Sequence, residues 1–152
     1  MTHEKHMRVC FELAENAIQL GNEPFGAVLV KDDQILFQAE NSVNTDNDCT
    51  RHAELNLISR ASQQLGSEVV AQCWLYTSTE PCAMCSGAIH WANIKGVVYG
   101  CPAYKLDEIF GSQTIIPACI EIFARGTKSL PTIGPILEAE AIAIHQHYWP
   151  TP

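Results

Sequence analysis

Apolar side chains recur every three or four positions at Met7, Cys10, Phe11, Ala14, Ala17 and Ile18. This is the spacing of one helix face and predicts an amphipathic helix over 4–20, which Gly21-Asn22 ends. The period then changes. A continuous apolar run over 25–30 follows Pro24, Asp32-Asp33 supplies turn residues, and Ile35-Leu36-Phe37 resumes, which together predict a β-hairpin. The Asn- and Asp-rich stretch 41–50 predicts a loop, with Thr50 as cap of the following helix. Over 51–65, Leu55, Ile58 and Leu65 lie at helical spacing and Gly66 is a stop signal, so His52 is expected in a first helical turn.

Cys73-Trp74-Leu75-Tyr76-Thr77 predicts a short buried strand, and Ser78-Thr79-Glu80 a turn into a second helix over 81–93. That helix would open on Pro81, a residue favoured at the first helical position. Gly96-Val97-Val98-Tyr99-Gly100 predicts the next strand, so the order after the first helix is ββαβαβ. Residues 101–116 are expected as a loop, 117–124 as a helix, 129–133 as a fifth strand, and the Ala-rich stretch 137–148 as a closing helix. Such alternation predicts a three-layer α/β/α sandwich around a central mixed sheet of five strands.

Composition predicts a single domain. A chain of 152 residues, 47% hydrophobic and 17% charged, can bury a core without staples, and no repeat or linker divides it. The N-terminus lacks a basic-then-apolar signal pattern, and no apolar run approaches the roughly 18 residues of a membrane span, so a soluble cytoplasmic protein is expected. Seven cysteines is an odd number. Cys10, Cys49, Cys73, Cys101 and Cys119 are scattered singly, which suits buried thiols better than a disulfide framework. The net charge of −8, with nine Lys and Arg thinly spread, offers no cation cluster to neutralise phosphates. It favours a small, neutral or weakly charged substrate over tRNA or DNA.

Two short stretches carry the chemistry, His52-Ala53-Glu54 and Pro81-Cys82-Ala83-Met84-Cys85. Together they offer one imidazole, two thiolates and a spare carboxylate. A structural zinc is normally closed by four protein ligands, whereas a catalytic zinc takes three and leaves a position for water. Cys82 and Cys85, three apart at the start of a helix, fall on one face, and the helix dipole there favours the thiolates that bind metal. Glu54 lies two residues from His52, well round an ideal helix, so placing both at one site requires a frayed first turn. Given that turn, zinc would lower the pKa of a bound water and Glu54 would carry its proton.

The chain resembles the cytidine deaminase-like superfamily of zinc hydrolases, specifically its guanine deaminase and tRNA adenosine deaminase branch. The likeness covers most of the chain: Pro24 to Val30, Asn41, Thr50 to Glu54, Glu80 to Ile89, Val97 to Gly100 and Gly134 to Glu138 stand in family order. It implies that His52, Cys82 and Cys85 hold zinc and that Glu54 shuttles the proton in hydrolytic deamination of an aminoheterocycle, guanine or guanosine first, with release of ammonia. By the same likeness Asn41 hydrogen-bonds the base, Phe25 lines its pocket, and the protein is a homodimer. Tyr104-Lys105-Leu106-Asp107 departs from the substrate loop of guanine deaminases, and Arg51 stands where the family often has Ala.

Other readings stand beside these. A structural zinc completed by Cys73, Cys101 or His90 would make the chain a non-catalytic binding module. A redox dithiol would explain neither His52 nor Glu54. Asn41 alone reads as a turn residue, Phe25 as core, and His90 as packing. His145 and His147 do not share a helix face and read as surface positions or a tail contact with a neighbouring subunit. Trp149 either pins the terminus or meets substrate.

Overall fold

A computed structural model describes residues 2–111 and 118–150. The first helix, α1 (His3–Gln19), buries Met7, Cys10, Phe11, Ala14 and Ala17 of the stripe that its spacing predicts, together with Leu13, while Ile18 is half-buried. It leads into the hairpin of β1 (Gly26–Lys31) and β2 (Gln34–Glu40), which pair antiparallel with Lys31 opposite Gln34. Asp32 and Asp33 both have positive φ, 49° and 62°. That is the backbone of a two-residue turn whose twist matches the strands it joins.

Next come α2 (Val43–Asp46), α3 (Ala53–Leu65), α4 (Ser67–Val70), β3 (Trp74–Thr79), α5 (Ala83–Trp91) and β4 (Gly96–Cys101). The chain continues through α6 (Ala103–Phe110), α7 (Cys119–Ala124), β5 (Thr132–Ile133) and α8 (Glu138–Tyr148). The strands form one sheet in the order β2-β1-β3-β4-β5. β1 is antiparallel to both neighbours, while β3, β4 and β5 run parallel. The expected mixed five-stranded sheet is present.

Strand alternation divides the core into two layers. Ala27, Leu29, Leu75 and Val97 face Ala53, Leu57, Ala61, Ile89 and Phe123 of α3, α5 and α7. Val28, Val30, Tyr76 and Val98 face Met7, Cys10 and Phe11 of α1 and Ala141 of α8. Gly26 is required where α1 crosses β1. A methyl group there would collide with the Cys10 carbonyl and lie 2.5 Å from Leu13 Cβ and 2.8 Å from Ala14 N.

Several boundaries differ from expectation, each for a local reason. The 41–50 loop contains the helical turn α2, whose amides at Asn44 and Thr45 are held by Asn22 Oδ1 at 3.1 and 3.0 Å. Thr50 does not cap α3; its hydroxyl donates to Asp48 Oδ1 at 2.6 Å, and His52 is the N-cap. Likewise α5 begins at Ala83 with Cys82 as N-cap, rather than at Pro81. Residues 103–110, expected as loop, are helix α6, whose start is anchored by Glu80 from just beyond β3: Oε2 accepts the Ala103 amide at 2.8 Å, while Oε1 accepts the Cys119 amide at the start of α7 at 3.1 Å. Residues 112–116 of that expected loop, and Pro117 of the expected helix, lie outside the described residues. Among the described residues no helix is long and apolar enough to cross a membrane.

Candidate active site

His52 and Cys82 occupy equivalent positions, each the extended N-cap of a helix packed on the same face of the sheet. Their carbonyls accept the first helical bonds, from Asn56 N at 2.9 Å and Ser86 N at 2.8 Å. A side chain at this position ordinarily caps the helix itself. Neither does so here, which leaves imidazole and thiol free for another partner. Cys85 follows in the first turn of α5 and is fully buried.

The three side chains converge. His52 Nδ1 lies 3.6 Å from the sulfur of Cys82 and 3.6 Å from that of Cys85. A tetrahedral ion with zinc's usual bond lengths holds nitrogen and sulfur about 3.6 Å apart, so the donor set and its spacing fit zinc. Among the described residues this is the one group of three or more His, Cys, Asp or Glu placed to hold a metal. The residues weighed as a fourth ligand are engaged elsewhere: Cys73 Sγ donates to the Val69 carbonyl at 3.2 Å, Cys101 Sγ to the Pro102 carbonyl at 3.5 Å, and the His90 ring packs against Trp91 at 5.3 Å. Three ligands, with no fourth among the described residues, is the pattern of a catalytic rather than a structural site.

Glu54 reaches the same place because α3 starts one residue after His52. The φ and ψ of His52, −66° and 153°, are extended, so the hundred-degree helical step that would separate the two side chains does not apply between them. The Glu54 carboxylate is buried, 4% exposed, with Oε1 accepting from the Thr77 hydroxyl at 2.7 Å and Oε2 lying 3.4 Å from Cys85 Sγ. Burial, then the charge of Cys82, raises its pKa, while Thr77 and His52 oppose the rise. The two thiols are tightly coupled. Hydrogen bonds from Cys85 and His52 pull Cys82 down to about 4 despite burial, whereas the bond to Cys82, burial and Glu54 push Cys85 up. His52 is raised, chiefly by its contact with Cys82.

Asn41 follows β2 and Phe25 precedes β1, and the Asn41 backbone N–H donates to the Phe25 carbonyl at 3.0 Å, which sets them side by side. Asn41 is fully buried; its Oδ1 accepts from Val43 N at 3.0 Å while Nδ2 has no partner. A buried amide donor left unsatisfied costs about 1–3 kcal/mol, which a ligand's acceptor would recover. Phe25 packs on His145, ring centroids 5.3 Å apart. Arg51 is ion-paired to Asp48 at 3.1 Å and, with Asn22, Glu40, Asn41 and Arg60, lines a groove of about 510 Å³ that includes none of the metal-group residues or Glu54.

His145 corrects its expected surface position. It is 1% exposed, and burial lowers its pKa to about 4. Trp149 Nε1 donates to Nδ1 at 3.1 Å, so Nε2 carries the proton and donates to Thr79 Oγ1 at 2.7 Å. Trp149 thus pins the end of α8, with Phe110 stacked edge-on at 4.5 Å. His147 is exposed, as expected. Sequence reading missed Thr77 and Thr79, which it assigned to strand and turn. Their signal was three consecutive hydroxyl residues closing a strand that is otherwise apolar.

Residues 1–101 match the family described as the cytidine and deoxycytidylate deaminase zinc-binding region. The guanine deaminase of Bacillus subtilis is 46% identical over 100 residues, covering 65% of this chain and 64% of that one, so the chain spans under two thirds of that relative. A probable cytosine deaminase of Schizosaccharomyces pombe is 33% identical over 152 residues, covering 95% of this chain and 90% of that one. The solved structure of a guanine deaminase from Nitrosomonas europaea superposes with a TM-score of 0.84 over 97% of this chain and 84% of that one. At 23% identity, that likeness is one of fold.

Proposed function

Because the chain belongs to the cytidine and deoxycytidylate deaminase zinc-binding family, we propose that it hydrolyses the exocyclic amine of a free purine-type base or nucleoside, guanine or guanosine, releasing ammonia. The observation that carries this reading is the buried Glu54 carboxylate beside a three-membered metal group with no fourth ligand among the described residues. A non-catalytic zinc module has no use for either feature.

His52 Nδ1, Cys82 Sγ and Cys85 Sγ would hold the zinc. Bound there, zinc supplies a Lewis-acidic position that brings the pKa of a water toward neutrality. Every remaining step belongs to the protein. Glu54 takes a first proton from the attacking water and delivers it to the ring nitrogen next to the reacting carbon. It then takes the second proton from the newly added hydroxyl and delivers it to the amine, which departs as ammonia as the carbonyl forms. Asn41 Nδ2 donates to an acceptor on the heterocycle, its orientation set by the bond from Val43 N to Oδ1. Phe25, backed by His145, forms an aromatic wall for the planar base.

Guanine as first candidate is supported by the Bacillus subtilis relative, and free cytosine is the second reading because the Schizosaccharomyces pombe relative spans nearly the whole chain. The net charge of −8 disfavours tRNA adenosine as substrate. The zinc protein is expected to act as a homodimer. Ammonia release by zinc-loaded protein across guanine, guanosine, cytosine, adenine, pterins and aminotriazines tests the reading. Turnover fastest on guanine or guanosine supports it, turnover confined to cytosine moves the substrate to the pyrimidines, and no release from any member overturns it.

A further inference from the structure

The end of β3 presents three consecutive buried hydroxyls, Thr77, Ser78 and Thr79. Each has a different partner. Ser78 Oγ accepts from Gly26 N at 3.1 Å, beside Phe25, and Thr79 Oγ1 bonds His145. Thr77 is fully buried on the strand face shared with Leu75, and its hydroxyl donates to Glu54 Oε1 at 2.7 Å.

Two side chains lie within hydrogen-bond reach of Glu54: Cys85, whose sulfur belongs to the metal group, 3.4 Å from Oε2, and Thr77 at Oε1. Among the described residues Thr77 is the side-chain donor to Glu54 from outside the metal group. Its single proton goes to the carboxylate, the shorter contact, and the Thr79 carbonyl at 3.1 Å is the competing acceptor. A rigid central strand thereby holds one oxygen of a carboxylate that would otherwise swing about its side-chain torsions. The other oxygen, Oε2, is left toward Cys85 and the metal group.

We propose that Thr77 is a positioning residue for the deamination reaction. Its hydroxyl anchors Oε1 of Glu54 so that Oε2 alone exchanges the proton between water and substrate. This inference rests on the proposed role of Glu54 as proton carrier. Thr77 touches neither metal ligand nor substrate in this account; it acts through Glu54.

The test compares Thr77→Val, which keeps shape and removes the hydroxyl, with Thr77→Ser, which restores it. Both are assayed as zinc-loaded protein by ammonia release from whichever of guanine, guanosine or cytosine the wild type turns over fastest. Thr77→Val is expected to keep stoichiometric zinc and KM within about threefold while kcat falls about 10- to 100-fold, and Thr77→Ser to recover most of kcat. In a crystal structure of zinc-loaded Thr77→Val, the Glu54 carboxylate should be rotated away from its wild-type position. Wild-type kcat in Thr77→Val, or a fallen kcat with an unmoved carboxylate, overturns the inference. Glu54→Gln separates the two claims. If Glu54→Gln loses turnover while Thr77→Val keeps wild-type kcat, only the role of Thr77 fails; if Glu54→Gln retains wild-type turnover, or the wild type releases no ammonia, the functional reading fails and this inference with it.

Discussion

His145 Nε2 lies 2.7 Å from Thr79 Oγ1, joining the closing helix to the strand that leads into Cys82. Because Trp149 donates to Nδ1, the buried ring is locked as the neutral tautomer. Protonation would set a second N–H against the indole N–H.

Acid should therefore loosen α8. The folded pKa of His145, about 4, lies below its ordinary value of 6.5. Between those values the unfolded chain binds the extra proton, so the stability contributed is full above pH 6.5 and is lost as pH falls toward 4. The loss amounts to at most about 3 kcal/mol. Urea unfolding at pH 7 and pH 4.5 should show a smaller pH dependence for His145→Gln than for wild type, and equal dependence would exclude His145 as its source.

Glu54→Gln should keep stoichiometric zinc and the fold but reduce turnover by about 10²- to 10⁴-fold, the usual worth of a general acid–base group. Metal analysis alongside ammonia release distinguishes this outcome from collapse of the site. Equal turnover in the two proteins would remove Glu54 from the reaction.

Cys82→Ser should lose metal and thermal stability together, because site assembly and folding are linked when ligands come from two helix starts. A chelator added to wild type should reproduce much of the shift in Tm. A variant that retains zinc and Tm would exclude Cys82 as a ligand.

Asn41→Ala removes the buried Nδ2 that has no protein partner. KM should rise, by about tenfold if the bond to substrate is worth the roughly 1.5 kcal/mol of a good hydrogen bond, with zinc content unchanged. Part of the stability lost with the Oδ1 bond to Val43 N should appear in Tm regardless of substrate. An unaltered KM would take Asn41 out of the binding site.

The hydrophobic pattern was enough for α1, the hairpin and strands β3 and β4, because each depends on periodicity within one segment. The three side chains of Cys82, Cys85 and His52 likewise made the metal chemistry legible, since few other uses explain them together. Their backbone setting was not legible. Whether His52 stands inside a helix or caps it depends on the turn before it, where Asp48 captures the Thr50 hydroxyl and leaves the cap position to His52. That one-residue difference lets Glu54 share the site. The helix at 103–110 was hidden for a similar reason: its anchor, Glu80, lies 23 residues upstream.

The sequence by itself determined the five strands, helices α1, α3, α5, α7 and α8 and the chemical identity of the metal group, all properties of local spacing and side-chain type. Tertiary structure decided which hydroxyl holds Glu54, that His145 is buried and neutral, and that Asn41 keeps a free donor. Those relationships join residues that periodicity treats as unrelated, and they exist only because the sheet order places the ends of β1, β2 and β3 beside the starts of α3 and α5.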